Sequence, residues 1–280
     1  MKVLAIGNSW THDAFAYVPA VMSSLGVQDS FAIAMVTASG THLQHHVEQF
    51  NDKSYEYCLC RFPDGPWQEE YDVSPSEALS RYDWDIVVLQ QQSVAAGEWA
   101  TYQPWLDRLV DSLHRYAPQC EIVWLMTPSR ADQLESSDVL WSRICNNADL
   151  VMENTCISRV IPEGTAIQNA RHSVLCDVAD GNELFSGDNL HLQDGIPRLT
   201  AAFSVAQSLL HWHGIQYSIL DCPLNPDEDF CYEWKIPHTH GETVLASQNY
   251  LRLARQCAAE AFDNPRELWT GERAGDFEKK

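Results

Sequence analysis

Short apolar segments alternate with helix-like segments along this chain, and that alternation limits its fold more than any other feature. Val3 to Ile6 is apolar and closes at Gly7, and residues 14–25 have the spacing of an amphipathic helix. Further strand-like segments follow at residues 31–37, 85–89, 121–126 and 158–162. Nearly continuous apolar strands separated by helices are typical of a parallel sheet covered on both faces. The sequence therefore predicts a three-layer α/β/α fold with a central parallel sheet.

The same pattern predicts a single domain over residues 1–280 with two additions. Helices are expected at residues 104–116, 138–149 and 196–213. Residues 50–82 combine aromatic and acidic residues with several prolines, which predicts an irregular insertion that could roof a pocket. Residues 221–280 begin with prolines and then offer a helix at about 244–262, so we expect a C-terminal helical extension on the same core.

The net charge and the apolar content of the chain limit which binding partners are expected. A formal net charge of −21 disfavours nucleic acid and anionic membranes, because both need clustered lysines and arginines. No apolar stretch approaches the roughly 18 residues that span a bilayer, and the chain passes from Met1 straight into a strand, which predicts a cytoplasmic protein. The sequence does not constrain the oligomeric state.

Neither the cysteines nor the histidines predict a metal centre. The nine cysteines are scattered and complete no zinc-type spacing, so we expect reduced thiols. The histidines form three small groups, and one sequence does not show three or four of them converging on an ion. We therefore expect no metal and no cofactor.

The strongest chemical signal lies directly after the first strand. Ligands of parallel sheets bind at the carboxyl ends of the strands, and Ser9 follows Gly7 and Asn8 at such an end. Glycine permits a tight strand-to-helix turn, and a serine held there is suited to nucleophilic acyl transfer. A serine after Gly-Asn is also a common turn or cap, so this segment alone decides nothing.

A second segment supplies an acid and a base together. Asp188 precedes His191 by three residues, in a predicted loop near the carboxyl end of the fold. In that arrangement the carboxylate would orient the imidazole, and the imidazole would accept the proton of Ser9. The alternative is a loop in which Asp188 caps a turn and His191 is half exposed.

A third set of residues could stabilise an oxyanion. The candidates are the backbone N–H groups of Ser9 and Gly40 and a side-chain amide from Gln92, with Gln90 as a second choice. Each follows a predicted strand, so the three loops are expected to meet at one edge of the sheet.

Together these segments resemble the SGNH/GDSL hydrolase superfamily. The chain is most similar to uncharacterised SGNH-like bacterial proteins in three blocks, at residues 5–9, 88–93 and 164–171, followed by the Asp188/His191 pair. It departs from the superfamily where Asn8 replaces an aspartate, and where Gln92 and Ser93 occupy the positions of an asparagine and an aspartate. The resemblance implies a flavodoxin-like fold and a serine esterase with Ser9, His191 and Asp188 as its triad.

The resemblance also implies a substrate class, since many members remove acyl groups from sugars. We expect a carbohydrate or small-molecule ester, contacted by side chains just past the strand ends: Trp10, His42, Gln168, Asn169 and Arg171. Two alternatives remain open. An acyltransferase would use the same triad but exclude water, and a sugar-binding module would keep the scaffold without catalysis. A dinucleotide-binding fold is excluded, because the first turn lacks the second and third glycines.

Overall fold

The computed structural model of the chain describes residues 1–27, 31–62, 67–130, 137–175, 190–224, 243–244 and 248–269. Seven strands form the main sheet, in the order β4-β3-β2-β1-β5-β6-β7. Their bounds are Lys2–Gly7 (β1), Phe31–Thr37 (β2), Tyr55–Phe62 (β3), Gln68–Val73 (β4), Ile86–Leu89 (β5), Glu121–Leu125 (β6) and Val160–Ile161 (β7). A second, two-stranded sheet pairs Asp194–Gly195 (β8) with Thr243–Val244 (β9).

The sheet is mostly parallel and is flanked by helices, which confirms the predicted α/β class. β1 pairs in parallel with β2 and β5, and β5 pairs in parallel with β6. The helices are Ser9–Phe15 (α1), Val18–Ser24 (α2), Leu43–Glu48 (α3), Pro75–Ser80 (α4), Trp105–Tyr116 (α5), Ser137–Asn154 (α6), Glu163–Arg171 (α7), Ile196–Trp212 (α8) and Gln248–Asp263 (α9). None of the helices in the described ranges is both long and apolar enough to cross a membrane.

The central strands are buried from end to end. Val3 to Ile6 are at most 1% exposed, and every residue of β2 and β5 is buried. A strand buried on both faces carries apolar residues without alternation, which explains the uninterrupted apolar segments of the sequence.

The contacts divide the chain into two compact units. The sheet unit comprises Met1–His12, Gln28–Thr127 and Arg143–Val160, and the helical unit comprises Asp13–Val27, Pro128–Ser142 and Ile161–Lys280. Within the sheet unit, α5 packs against α3 and α4. Within the helical unit, α8 packs against α2, α7 and α9. The assignment of residues 1–280 to one domain stays a prediction.

The prediction of an irregular insertion at residues 50–82 is wrong. Its described part forms β3, β4 and α4, and both strands pair antiparallel, β3 with β2 and β4 with β3. β4 is the edge strand, and most of its Gln-Glu-Glu-Tyr-Asp-Val sequence is exposed, so no apolar alternation marked it as a strand. Ser74 caps α4 by accepting a hydrogen bond from the backbone of Glu77.

Seven cysteines fall in the described ranges. Six of them are buried and one, Cys156, is exposed. The expectation that the thiols are reduced stays a prediction.

Candidate functional site

The strand order places a switch point between β1 and β5. Five strands, β2-β1-β5-β6-β7, follow the order 2-1-3-4-5 along the chain, which is the flavodoxin-like order. Ligands of such sheets bind where the order reverses, outside the carboxyl ends of the two central strands. Asn8 and Ser9 follow β1 at this point, and Gln90 follows β5.

Asn8 connects the loops after three strands. Its Oδ1 accepts hydrogen bonds from the backbone N–H of Trp10 at 3.0 Å and from Nε2 of Gln90 at 2.9 Å. Its Nδ2 donates to the carbonyl of Thr41, after β2, at 2.9 Å. The side chain is only 2% exposed, so water does not compete strongly for these bonds. These three hydrogen bonds of the Asn8 side chain therefore hold the β1–α1 turn in place.

The turn also depends on the small size of Gly7. A Cβ atom on Gly7 would lie 2.1 Å from Oγ1 of Thr11 and 2.6 Å from Nε2 of Gln90. Gln90 donates to that same Thr11 oxygen at 2.9 Å. Glycine at position 7 thus leaves the space in which the Gln90 amide reaches across from β5.

Ser9 is the first residue of α1, and Asn8 precedes the helix as its N-cap. Thr11 and Asp13 both lie inside the helix. Ser9 is half-buried, whereas Asn8 and Trp10 on either side are 2% and 3% exposed. Its position combines a fixed backbone with a half-buried side chain.

Gly40 lies in the turn after β2, as the oxyanion prediction requires. Its φ of +67° is in the left-handed region, where glycine carries no side-chain penalty. Nothing lies within 4 Å of the position a Cβ would take, so the residue borders open space. The backbone of this turn is held by Thr41, whose hydroxyl donates to the carbonyl of Ala38 at 2.7 Å.

The three glutamines after β5 have different environments. The Nε2 group of Gln90 donates hydrogen bonds to Asn8 and Thr11. Gln91 accepts hydrogen bonds from the backbone of Leu43 at 3.2 Å and donates to Thr101 at 3.0 Å, so it ties α3 to the loop after β5. Gln92 is half-buried, which leaves it the best placed of the three to meet a ligand. Both hydrogens of the Gln90 amide are therefore used within the protein, and its role as an oxyanion donor stays a prediction.

In the helical unit, the segment that carries His191 is held through its backbone. The N–H of Leu192 donates to Oδ2 of Asp13 at 2.9 Å, and the carbonyl of Leu192 accepts from Nε of Arg198 at 3.1 Å. His191 itself is 8% exposed. Asp188, its predicted orienting acid, lies outside the described residues.

Arg198 is the centre of a buried ion-pair network. Its two terminal nitrogens donate to Oδ1 of Asp13 at 2.7 Å and to Oδ1 of Asp194 at 2.9 Å, and it is 1% exposed. Tyr17 donates to the same oxygen of Asp194 at 3.3 Å. Removing one partner from such a network is costly, because it leaves a charge buried without compensation.

Two buried carboxyl groups lie close together in this unit. Burial raises the pKa of Asp13, and the positive charge of Arg198 opposes that rise. Burial and the negative charge of Asp13 raise the pKa of Glu163 well above its usual value. Neither oxygen of the Glu163 carboxyl has a hydrogen-bond partner among the described residues. A proton on Glu163 relieves the repulsion between the two groups.

Several residues predicted to contact substrate have other roles. Trp10 is 3% exposed, so it packs in the interior and offers no open face to a sugar ring. His42 is exposed at the N-terminus of α3, where its Nδ1 accepts a hydrogen bond from the backbone of His45 at 3.4 Å. It remains accessible to a ligand.

The block at residues 164–171 forms α7 and not a loop beyond a strand. Gln168 and Asn169 are both 0% exposed. Asn169 donates to the carbonyl of Cys257 at 3.2 Å and accepts from the backbone of Trp269 at 2.9 Å. Gln168 accepts from Nη1 of Arg171, which also donates to Ser129 at 2.6 Å. These side chains hold α7 in place within the helical unit.

Sequence reasoning missed Asp13 and Arg198. Asp13 belongs to no recognisable motif, and Arg198 lies in a segment that has the sequence of an apolar helix start. The signal available was the charge itself, because an arginine within a buried helix requires acidic partners.

Comparisons with known proteins give one family and a small set of similar structures. The model of the family described as "Domain of unknown function (DUF4886)" matches residues 2–229. A crystal structure of a DUF4886 family protein from Bacteroides uniformis has a TM-score of 0.80 and 24% identity, covering 96% of this chain and 97% of that chain. No curated protein matches the chain.

Two more distant structures carry hydrolase descriptions. A "putative SGNH hydrolase" from Slackia heliotrinireducens has a TM-score of 0.47 and 17% identity, over 75% of this chain and 98% of that chain. A "putative GDSL-like lipase" from Parabacteroides merdae has a TM-score of 0.48 and 13% identity, over 77% and 96% respectively. These two likenesses are distant, and the Bacteroides uniformis structure shares the fold along nearly the whole chain.

Proposed function

The chain belongs to the DUF4886 family, whose description assigns no activity, and we propose that it is a serine esterase. The observation that carries this proposal is the environment of Ser9. It starts α1 at the switch point of the sheet, half-buried, directly after an Asn8 side chain that three hydrogen bonds immobilise. A nucleophile gains rate when its approach is fixed before the substrate binds.

In the proposed reaction, Ser9 Oγ attacks the carbonyl carbon of an ester while His191 removes the hydroxyl proton. The tetrahedral intermediate collapses, the alcohol leaves with the proton from His191, and an acyl-enzyme remains on Ser9. Water then attacks the acyl-enzyme, with His191 as the base again, and releases the acid. Asp188 is proposed to orient His191.

The helical unit supports the role of His191 through its backbone. Asp13 and Arg198 bind the N–H and carbonyl of Leu192, which fixes the chain one residue after the imidazole. A base needs this kind of restraint, because small displacements of a catalytic group cost large factors in rate.

The proposed oxyanion donors are the backbone N–H groups of Ser9 and Gly40 and the side chain of Gln92. Gly40 supports this role by its left-handed turn beside open space, and Gln92 by its half-exposed position after β5. Loss of one such donor typically lowers kcat by about 10²–10³.

As substrate we propose an O-acylated carbohydrate or another small ester, cleaved to the free hydroxyl and the acid. The net charge of −21 favours a neutral or cationic ester over an anionic one. Trp10 is buried and therefore cannot stack on a sugar ring, whereas His42 is exposed and stays a proposed substrate contact.

The decisive experiment compares wild type with Ser9→Ala on p-nitrophenyl acetate and on a panel of acetylated sugars. We expect hydrolysis to fall at least about 10³-fold in Ser9→Ala, in line with the loss of a triad member. Ser80→Ala is the matched control, since Ser80 is an exposed serine at the end of α4. A fluorophosphonate probe should label wild type and Ser80→Ala but not Ser9→Ala.

The outcomes separate the alternatives. Equal, background-level rates in all three proteins, without labelling, would overturn the esterase and leave a sugar-binding module. Labelling at Ser9 with ester formation that depends on an added sugar acceptor would instead indicate an acyltransferase.

A further inference from the structure

A group of potential metal ligands lies within the sheet unit. His12, Glu56 and Cys58 each offer one ligand atom, and these atoms all lie within 4.8 Å of one another. Nε2 of His12 is 3.9 Å from Oε2 of Glu56, and Sγ of Cys58 is 3.4 Å from Oε1 of Glu56. The proposed ester hydrolysis uses none of these three side chains.

Secondary structure brings the three residues together. Glu56 and Cys58 are two residues apart on β3, so their side chains project from the same face of the sheet. Thr37 of β2 is the register partner of Glu56, and its Oγ1 lies 2.7 Å from Nε2 of His12. His12 reaches this face from α1. The ligand atoms therefore come from rigid elements rather than from a loop.

The distances suit a tetrahedral ion. Zinc–nitrogen and zinc–oxygen bonds of about 2.0–2.1 Å and zinc–sulfur bonds of about 2.3 Å place neighbouring ligand atoms roughly 3.3–3.8 Å apart. The 3.4 Å contact lies within this range and the 3.9 Å contact lies just above it, so binding an ion needs only small side-chain rotations. An imidazole, a thiolate and a carboxylate together favour zinc-like cations over magnesium or calcium, which prefer oxygen alone.

The electrostatics around Cys58 favour a cation. Cys58 is buried, and its Sγ contacts the carboxylate of Glu56. Glu69 is the register partner of Cys58 on β4, and its Oε1 is buried with no hydrogen-bond partner in the described part of the chain. A divalent ion would neutralise this excess of acceptors and stabilise the thiolate.

We propose that His12, Glu56 and Cys58 bind a zinc-class divalent cation, with water or the Thr37 hydroxyl at a fourth position. Binding displaces the thiol proton of Cys58 to solvent, so affinity rises with pH. His12 is three residues from Ser9 on α1, and the ion would tie this short helix to β3.

Cobalt is the probe that tests the site directly. The purified full-length chain is stripped with a chelator, dialysed, and titrated with Co²⁺ alone while its absorption spectrum is recorded. We expect one Co²⁺ per chain and a thiolate-to-cobalt charge-transfer band. Cys58→Ser should lose that band, and Cys120→Ser, which removes a buried thiol elsewhere in the sheet unit, should keep it.

Two further variants separate ligation from folding. His12→Gln and Glu56→Gln should each weaken Co²⁺ binding at least about tenfold, because even changes next to a ligand commonly cost 10- to 100-fold. Zinc should also raise the Tm of wild type and not of these variants. Absence of uptake by wild type, or uptake that Cys58→Ser and Glu56→Gln leave unchanged, would overturn the site. None of these measurements depends on ester hydrolysis.

Discussion

The side-chain amide nitrogen of Gln90 lies 2.9 Å from Oδ1 of Asn8. This hydrogen bond links the residues that follow β5 and β1, the two strands between which the strand order reverses. The same nitrogen donates to Thr11 at 2.9 Å, so both amide hydrogens are used. Gln90 therefore supports the turn that presents Ser9.

Gln90→Leu and Gln92→Leu should differ in what they damage. Gln90→Leu leaves Asn8 and Thr11 without a buried donor, so we expect the free energy of unfolding to fall by about 1–3 kcal/mol. Gln92→Leu should leave stability within about 0.5 kcal/mol, as is usual away from buried networks, and lower kcat on p-nitrophenyl acetate at least tenfold.

Urea denaturation and initial rates measure both quantities on the same preparations. If Gln92→Leu retains full kcat, then Gln92 is not an oxyanion donor. If Gln90→Leu is as stable as wild type, the bridge to Asn8 does not hold the turn.

Asn169→Leu tests whether α7 binds substrate. Asn169 is fully buried and bonded to the backbone of Cys257 and Trp269, so the variant leaves one buried and one partly buried backbone group without its partner. We expect a loss of about 1–3 kcal/mol in the free energy of unfolding and an unchanged KM. A raised KM at wild-type stability would restore the substrate-contact interpretation.

His46 should make stability fall as the pH falls. Burial, aided by the charges of His45 and His42, lowers the pKa of His46 to about 3, against about 6.5 in an unfolded chain. Between these values the unfolded chain binds a proton that the folded chain does not, so acid favours unfolding.

The variant His46→Gln has no such proton and should flatten the curve. We expect its free energy of unfolding to change with pH less steeply than that of wild type between pH 6 and 4, by up to about 1.4 kcal/mol per pH unit. Urea titrations at several pH values measure the slope. Identical slopes would mean that His46 is protonated in the folded protein.

Glu163 should have the opposite effect. Because its pKa is raised in the folded protein, the folded chain keeps a proton that the unfolded chain releases, and stability is lost as the pH rises. Glu163→Gln replaces the protonated carboxyl with a neutral amide. We expect the variant to gain stability relative to wild type from pH 5 to pH 8.5, in thermal unfolding at each pH. A constant difference across that range would contradict the buried proton.

The parts of the fold predictable from sequence are those where burial determines residue type. The apolar segments at β1, β2 and β5 are buried on both faces, so composition alone locates them. β4 is an exposed edge strand, where pairing and not burial defines the element, and its acidic sequence gave no such signal. The helix α7 was missed because it includes polar residues that are fully buried, such as Asn169, whose hydrogen-bond partners lie far along the chain.

The residues of the candidate site also differ in how far the sequence predicts them. Ser9, Gly40 and Gln92 follow strand ends, so the topology of a parallel sheet is enough to suggest them. Asp13 contacts residues that are distant in the chain: Leu192 is 179 positions away and Arg198 is 185 positions away. No local pattern encodes such pairs, because the partners meet only once the helices of that unit have packed.

The lack of space for a side chain at position 7 predicts which positions vary together in this family. An alanine there would collide with the Thr11 hydroxyl at 2.1 Å and with the Gln90 amide at 2.6 Å. A lineage that replaces the glycine must therefore move or replace both of those side chains. Positions 7, 11 and 90 are thus expected to change together among relatives, as one inherited unit.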